Sequence, residues 1–316
     1  MSHTTSNISK FTVVGDDDYS PEQQDLNKLA QLLSRFAIHD GNTPLPVPDA
    51  HVAKCSDVTG ESIHAVSAPG ICIAAQGAKS VTLAQDSYQY GATKMAVYAA
   101  EVPIRVKYVD ASPEKPYLCL VVHIDPKRMA DLIFKVFPNG LTKTANTRAI
   151  YLGDSNPKIV KSAIRLLELV IHQEDADLLV PLVVDEILIR LLRSPAGPLI
   201  AQIGLTDSNA HKVSRAISWI KENYTETIKI EELAKISGMS ASSFHSHFKS
   251  ITEMSPLQFQ KHLRLQKARN FMITQMMDVS SACHKVGYSS VSQFSREYSR
   301  LFGRSPSKDI DLYREN

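Results

Sequence analysis

Residues 240–256, SASSFHSHFKSITEMSP, and residues 290–306, SVSQFSREYSRLFGRSP, carry one pattern twice. Phe244, Phe248, Ser255 and Pro256 match Phe294, Tyr298, Ser305 and Pro306, each at an offset of 50. Just upstream, Gly238-Met239-Ser240 matches Gly287-Tyr288-Ser289 at an offset of 49, so one residue has been inserted after the second turn. An internal repeat is the first feature that constrains a fold. Each copy reads as a short helix, a glycine turn and a longer helix with aromatics four apart on its buried side. That is the helix-turn-helix pattern, whose second helix enters the DNA major groove. Two copies let one chain read two adjacent grooves.

The turn needs a small residue where the helices cross and a residue that tolerates positive φ. Ala234 and Gly238 supply these in the first copy, Cys283 and Gly287 in the second. Cys283 is thereby read as a packing residue. Ser240 and Ser289 stand where N-caps are wanted. With the aromatics facing inward, the opposite side of each second helix is free for DNA. On the first copy that side shows Ser242, His245, Ser246 and Lys249, and on the second Val291, Ser292, Ser295 and Arg296. Arg296 can bind guanine through two parallel hydrogen bonds, the serines and His245 can donate singly, and Val291 can meet a thymine methyl. The first copy has no arginine at a base-reading position, so the sharper readout is expected from the second, with phosphate contacts and DNA shape serving the first.

Charge follows the repeat. From Asp207 onward 16 Lys and Arg stand against 11 Asp and Glu, a surplus of +5, while the remainder carries −3. A basic half joined to a mildly acidic one is the electrostatic footprint of a nucleic-acid-binding module on a separate partner domain.

Upstream, residues 22–37 place Leu26, Leu29, Leu33 and Phe36 at helical spacing. From about 44 to 124 short Val-, Ile-, Thr- and Tyr-rich segments broken by Gly, Pro, Asp and Ser predict an antiparallel β-domain of sandwich or barrel kind. Pro126 opens a helix, and apolar stripes over 157–173 and 177–193 predict two more. The expected organisation is a disordered stretch at 1–20, a regulatory and dimerisation domain at 21–194, a Pro- and Gly-bearing linker at 195–208, and a DNA-binding domain at 209–316. The fold class is α+β and multidomain.

Residues 233–269, LAKISGMSASSFHSHFKSITEMSPLQFQKHLRLQKAR, with residues 284–306, HKVGYSSVSQFSREYSRLFGRSP, resemble the AraC/XylS family of bacterial transcription regulators. The resemblance implies a long helix joining the two motifs, here PLQFQKHLRLQKARNFMI, and base-reading roles for Ser242, His245 and Ser246 and for Val291, Ser292, Ser295 and Arg296. Glu253 departs from the glycine usual before Ser-Pro, whereas Gly303 keeps it. A side chain there costs about 1 kcal/mol if the backbone is left-handed. Residues 68–83 and 102–133 are similar to the N-terminal domain of one branch of that family, which implies a cupin-like regulatory domain.

Enzyme classes fit poorly. There is no nucleophile elbow, phosphate loop or dinucleotide fingerprint. His51, His64 and His123 are isolated in sequence, and the HSH at 245–247 lies on a helix whose positions i and i+2 diverge. The acidic run GDDDYS at 15–20 lacks calcium-loop spacing. No cofactor and no metal is expected. No run of about 18 apolar residues predicts a membrane span. The four cysteines form no CxxC pair, in keeping with reduced thiols in the cytoplasm. Cys72, Cys119 and the tyrosines at 88, 90, 98, 108 and 117 either fill the β-domain core or line an effector pocket, and no effector-binding residue is assigned. The expected partners are double-stranded DNA, a small-molecule effector, a second copy in a homodimer and RNA polymerase. An effector-independent architectural DNA-binding protein is the alternative.

Overall fold

Two segments, GICIAAQ and YLCLVVH, are apolar at consecutive positions, and a strand of that composition must be buried on both faces. The computed structural model shows why. It describes residues 21–58, 60, 62–138, 140, 148–205 and 208–314. The expected disorder at 1–20 lies outside them. Ten strands are described: β1 (Gly41–Pro44), β2 (Ala50–Cys55), β3 (Ile63–Val66), β4 (Gly70–Gln76), β5 (Ala78–Leu83), β6 (Asp86–Gly91), β7 (Lys94–Tyr98), β8 (Pro103–Asp110), β9 (Tyr117–His123) and β10 (Ile150–Asp154). They form a six-stranded sheet in the order β1-β2-β9-β4-β7-β10 and a four-stranded sheet in the order β3-β8-β5-β6, antiparallel throughout.

The larger sheet is covered on both sides. Ile71, Ile73, Val97, Leu118, Leu120 and Val122 pack under the helices α1 (Gln23–Phe36), α2 (Pro126–Val136), α3 (Pro157–His172) and α4 (Ala176–Leu192). The alternate residues Cys72, Ala74, Ala96, Tyr98, Cys119 and Val121 face the smaller sheet, from which Val81, Leu83, Tyr90, Ile104 and Val106 come to meet them. Period-two alternation therefore sorts each strand into a helix-facing and a sheet-facing set. Strand β10 was missed in the sequence because five residues, paired only to β7, are too few to stand out.

The expected linker at 195–208 is corrected. Gly197–Gly204 is a helix, α5, whose Leu199, Ile200, Ala201 and Ile203 are buried with α2 and α4 in the same apolar cluster. Two prolines and two glycines suggested a flexible joint, but the apolar content between them is what packs. Pro181 likewise sits inside α4 without ending it.

The C-terminal half is helical: α6 (Asn209–Glu222), α7 (Ile230–Ser237), α8 (Ala241–Thr252), α9 (Pro256–Thr274), α10 (Val279–Lys285), α11 (Val291–Phe302) and α12 (Pro306–Arg314). Its caps are written in the sequence. Ser255 accepts from the Gln258 amide while the Gln258 side chain accepts from the Ser255 amide, a full capping box ahead of α9. Asp278 caps α10 and Ser240 caps α8. The cap of α11 is Ser290, not Ser289, which restores the 50-residue offset from Ser240.

The second motif is closed by one buried charge. Asp309, 1% exposed, accepts two hydrogen bonds from Arg269 on α9, at 2.7 and 3.0 Å, and one from the hydroxyl of Tyr298 on α11. Burial alone would raise its carboxyl, but these partners outweigh burial and hold it below the ordinary value. A depressed carboxyl contributes stability that is complete above the unfolded-state value and is lost as pH falls through the lower folded-state one. Asp309→Ala should cost about 3 kcal/mol, because it strands a buried arginine. Urea unfolding of the whole chain at neutral pH measures this, and a loss under about 0.5 kcal/mol would show that solvent replaces the pair.

Candidate nucleic-acid interface

Each motif turns at a glycine in the left-handed region, Gly238 at φ +65° and Gly287 at φ +84°. At Gly287 a Cβ would also lie 2.7 Å from the Thr225 carbonyl oxygen, so the turn is pressed against the loop after α6. The crossing residues Ala234 and Cys283 are buried. Phe244 and Phe248 on α8 stack with Phe259 of α9, and Phe294 and Tyr298 on α11 form a second aromatic group with Tyr288 and Phe302. All four repeat aromatics are fully buried, which rolls the other side of each helix outward.

On α8 that outward side presents Ser242, His245, Ser246 and Lys249, all exposed. On α11, Ser292 and Arg296 are exposed, while Ser295 and Val291 are half-buried. Val291 packs against the core of its own motif, which leaves it less to offer a base than the sequence suggested.

The two motifs share α9. Phe259 and Leu263 enter the core of the first, and Leu265, Ala268 and Met272 that of the second. Arg264 lies between these sets and was not singled out in the sequence. Its guanidinium donates to the carbonyls of Tyr224, Thr225, Glu226 and Gly287, at 2.6 to 3.2 Å. Gln260, which is buried, donates to the carbonyls of Tyr224 and Glu226. Together they fasten the turn of the second motif to the loop leaving α6. Nothing in the sequence around Arg264 marks this role, and only the fold brings four carbonyls to it.

The β-domain meets this half at the far ends of both reading helices. Tyr88 of β6 donates to Glu253, the residue after α8, at 3.3 Å. His64 of β3 sets its ring edge-on against Phe302, the last residue of α11, at 4.6 Å between centroids. Gln266 of α9 donates to the Ala65 carbonyl, and Lys221 of α6 pairs with Glu101. Glu253 has φ +59°, so the departure from glycine does sit in left-handed backbone. Burial, then Arg269 and Arg105 nearby, pull the His64 imidazole down to about 4, so it is neutral at neutral pH.

Behind this contact the β-domain holds a cavity of about 480 Å³ between its sheets, lined by Ile63, Ala65, Cys72, Tyr98, Val106 and His123 among others. His51 and His123, isolated in sequence, come together here with ring centroids 5.1 Å apart. Cys72 and Cys119 both face the inter-sheet space. Of the tyrosines, Tyr98 and Tyr108 line the cavity, Tyr90 and Tyr117 are buried beside it, and Tyr88 points out to Glu253. Among the described residues no cluster of three or more metal-ligating side chains is placed to hold an ion, and no helix is long and apolar enough to cross a membrane.

Comparison with known proteins agrees with this architecture. Residues 46–199 match the family described as the AraC-type transcriptional regulator N-terminus, and residues 233–310 match a helix-turn-helix domain. The regulator ExsA of Pseudomonas aeruginosa is 29% identical over 143 residues, which cover 45% of this chain and 51% of ExsA. The virulence regulon activator VirF of Yersinia enterocolitica is 24% identical over 164 residues, covering 52% and 60% respectively. The chain thus spans about half the length of the curated relatives it matches. Among solved structures, an apo form of ToxT from Vibrio cholerae is similar with a TM-score of 0.52 at 12% identity, over 87% of this chain and all of that one, a likeness of fold. The relatives are transcription regulators, not enzymes. The repeated motif, the double-sheet domain before it and these matches agree: the chain belongs to the AraC/XylS family of transcription regulators.

Proposed function

We propose that this chain binds a specific duplex site through α8 and α11, inserted into two adjacent major grooves, and that a small-molecule effector in the β-domain governs this binding. The first part is supported by the exposed polar faces of two reading helices held on one connecting helix. Base contacts are assigned to Ser242, His245, Ser246, Ser292 and Arg296, with Lys249 on phosphate and Ser295 and Val291 in minor contact.

The single observation that carries the effector reading is the wall between cavity and reading domain. Strands β3 and β8 are paired from Ile63↔Val106 to Val66↔Pro103. Their inward residues Ile63, Ala65, Ile104 and Val106 line the cavity. Their outward residues His64 and Arg105 line a cleft shared with His262 and Gln266 of α9 and Arg300 and Leu301 of α11. A ligand that moves this wall acts directly on the ends of both motifs, provided it has different affinity for two arrangements of the domains. An architectural protein without an effector would need no such cavity.

A homodimer is proposed through α4. Along the apolar stripes at 157–173 and 177–193, Ile159, Ile164 and Val183 are buried in their own core, whereas Leu178, Leu179 and Leu182 are exposed. These neighbours on one helix face are apolar surface for a second copy. Glutamate at both Leu178 and Leu182 should yield monomers by analytical ultracentrifugation at micromolar concentration. An unchanged sedimentation coefficient would move the interface elsewhere.

Selection of bound genomic fragments identifies the site, and footprinting should then show protection of two major grooves about one helical turn apart on one face. On that site Arg296→Ala should cost about 1–3 kcal/mol and relax preference at one base pair. An equal loss on random DNA would reduce Arg296 to a phosphate contact. Arg264→Ala touches no base in this scheme. It should weaken binding to the two-groove site while leaving binding to a half-site nearly unchanged, and parallel losses on both would show that Arg264 contacts DNA.

A further inference from the structure

Strand β5 alternates in and out, and the inward positions are Lys79, Val81 and Leu83. A lysine therefore stands where the pattern calls for an apolar residue. Lys79 is 8% exposed and lines the inter-sheet cavity. Its ammonium lies 5.4 Å from the ring centre of Tyr90 and 5.2 Å from that of Tyr117, so two π-faces carry it partway out of water. Among the described residues no Asp or Glu lines the cavity, and Lys79 is the one Lys or Arg that does. A buried ammonium without a carboxylate is costly, and proteins retain one where it meets an anion.

The surrounding groups point the same way. The Cys72 thiol is drawn below its ordinary value by a hydrogen bond to Cys119, against burial, with Lys79 adding to the pull. His51 is brought down to about 4 by burial, then by His123 and Lys79. In both, Lys79 is the lesser cause and acts in the direction of a positive charge at this wall. Nδ1 of His123, in the cavity lining, is buried without a hydrogen-bond partner, leaving a polar atom to receive a guest. Ile63, Ala65, Val66, Ile104, Val106 and Val121 give the lining an apolar side, beside the polar groups of Asn42, Ser67, Tyr98 and Tyr108.

We infer that the cavity takes a small amphipathic organic anion, a carboxylate on an apolar body, with the anionic end paired to Lys79 and the body against the β3–β8 wall. This deepens the effector reading above and rests on it for its regulatory meaning, but not for the binding itself. A carboxylate on Lys79 replaces a missing counter-ion, whereas a neutral amide leaves the ammonium unpaired. The discrimination between the two should be at least about tenfold.

The test is calorimetry on the full chain with phenylacetate, indole-3-acetate, hexanoate and octanoate, each beside its primary amide. At least one acid should bind, with its amide at least about tenfold weaker. Lys79→Met should abolish acid binding and Lys79→Arg should keep it, so the arginine variant separates lost charge from a lost fold. The inference is overturned if no acid binds, if acids and amides bind alike, or if acid binding survives Lys79→Met. The same titrations run with DNA keep the two readings apart. Acid binding that leaves DNA affinity unchanged upholds the anion site and removes the effector reading alone.

Discussion

The spacing of the two reading helices is set by one helix that is buried on two sides. In most surface helices a single apolar stripe faces the core. Helix α9 departs from this because Phe259 and Leu263 point into one motif and Leu265, Ala268 and Met272 into the other. Its polar residues are then confined to what remains, and they are not idle there. Gln260 and Arg264 fill the carbonyls of the loop leaving α6, Arg269 takes Asp309, and Lys261 takes Glu297. Each motif is too small to bury its own aromatics alone, so the long helix serves as half of both cores. A rigid spacing follows, and DNA with one groove repeat imposes the matching requirement.

That rigidity decides where regulation can act. If α8 and α11 cannot easily move relative to each other, an effector must alter the pair as a unit. The β-domain touches the unit at Glu253, Phe302, Gln266 and Lys221, all behind the reading faces. Glu253 illustrates the trade. Its left-handed backbone costs about 1 kcal/mol relative to glycine, and Gly303 occupies the same position in the second motif without that cost. The side chain that glycine lacks is what reaches Tyr88. A local penalty in the first motif thus accompanies a contact between domains, a use of strain expected at functional positions and not in ordinary loops.

Much of this was legible because the C-terminal half is written in short-range signals. Glycine turns, Ser and Asp caps and aromatics four apart fix local structure within a dozen residues, and the two helix-turn-helix units lie where the repeat puts them. The β-domain was legible in kind and not in pairing. Nothing local says that β4 lies between β9 and β7, or that β10 returns from residue 150 to close the sheet edge. For the same reason His51 and His123 read as isolated, Cys72 and Cys119 could not be put on one face, and Lys79 passed unnoticed in a strand whose alternation already marked it. The linker failed for a different reason. Proline and glycine were weighted as breakers, while Leu199, Ile200 and Ile203 between them supplied the burial that made a helix.

The charge count, too, changes meaning once partners are known. The surplus of +5 from Asp207 onward reads as the footprint of a nucleic-acid-binding module. Lys221, Lys229, Lys261 and Arg269 are each matched with a carboxylate, and Arg264 with backbone carbonyls. These cations hold the domain together or hold it to its neighbour. On the reading helices themselves the exposed cations are Lys249, Arg296 and Arg300. Few phosphate contacts give weak non-specific binding and a shallow dependence on salt. On the proposed reading, discrimination draws on the fixed spacing of these two sparsely charged helices, which ties recognition to α9 and to the β-domain contacts at its side.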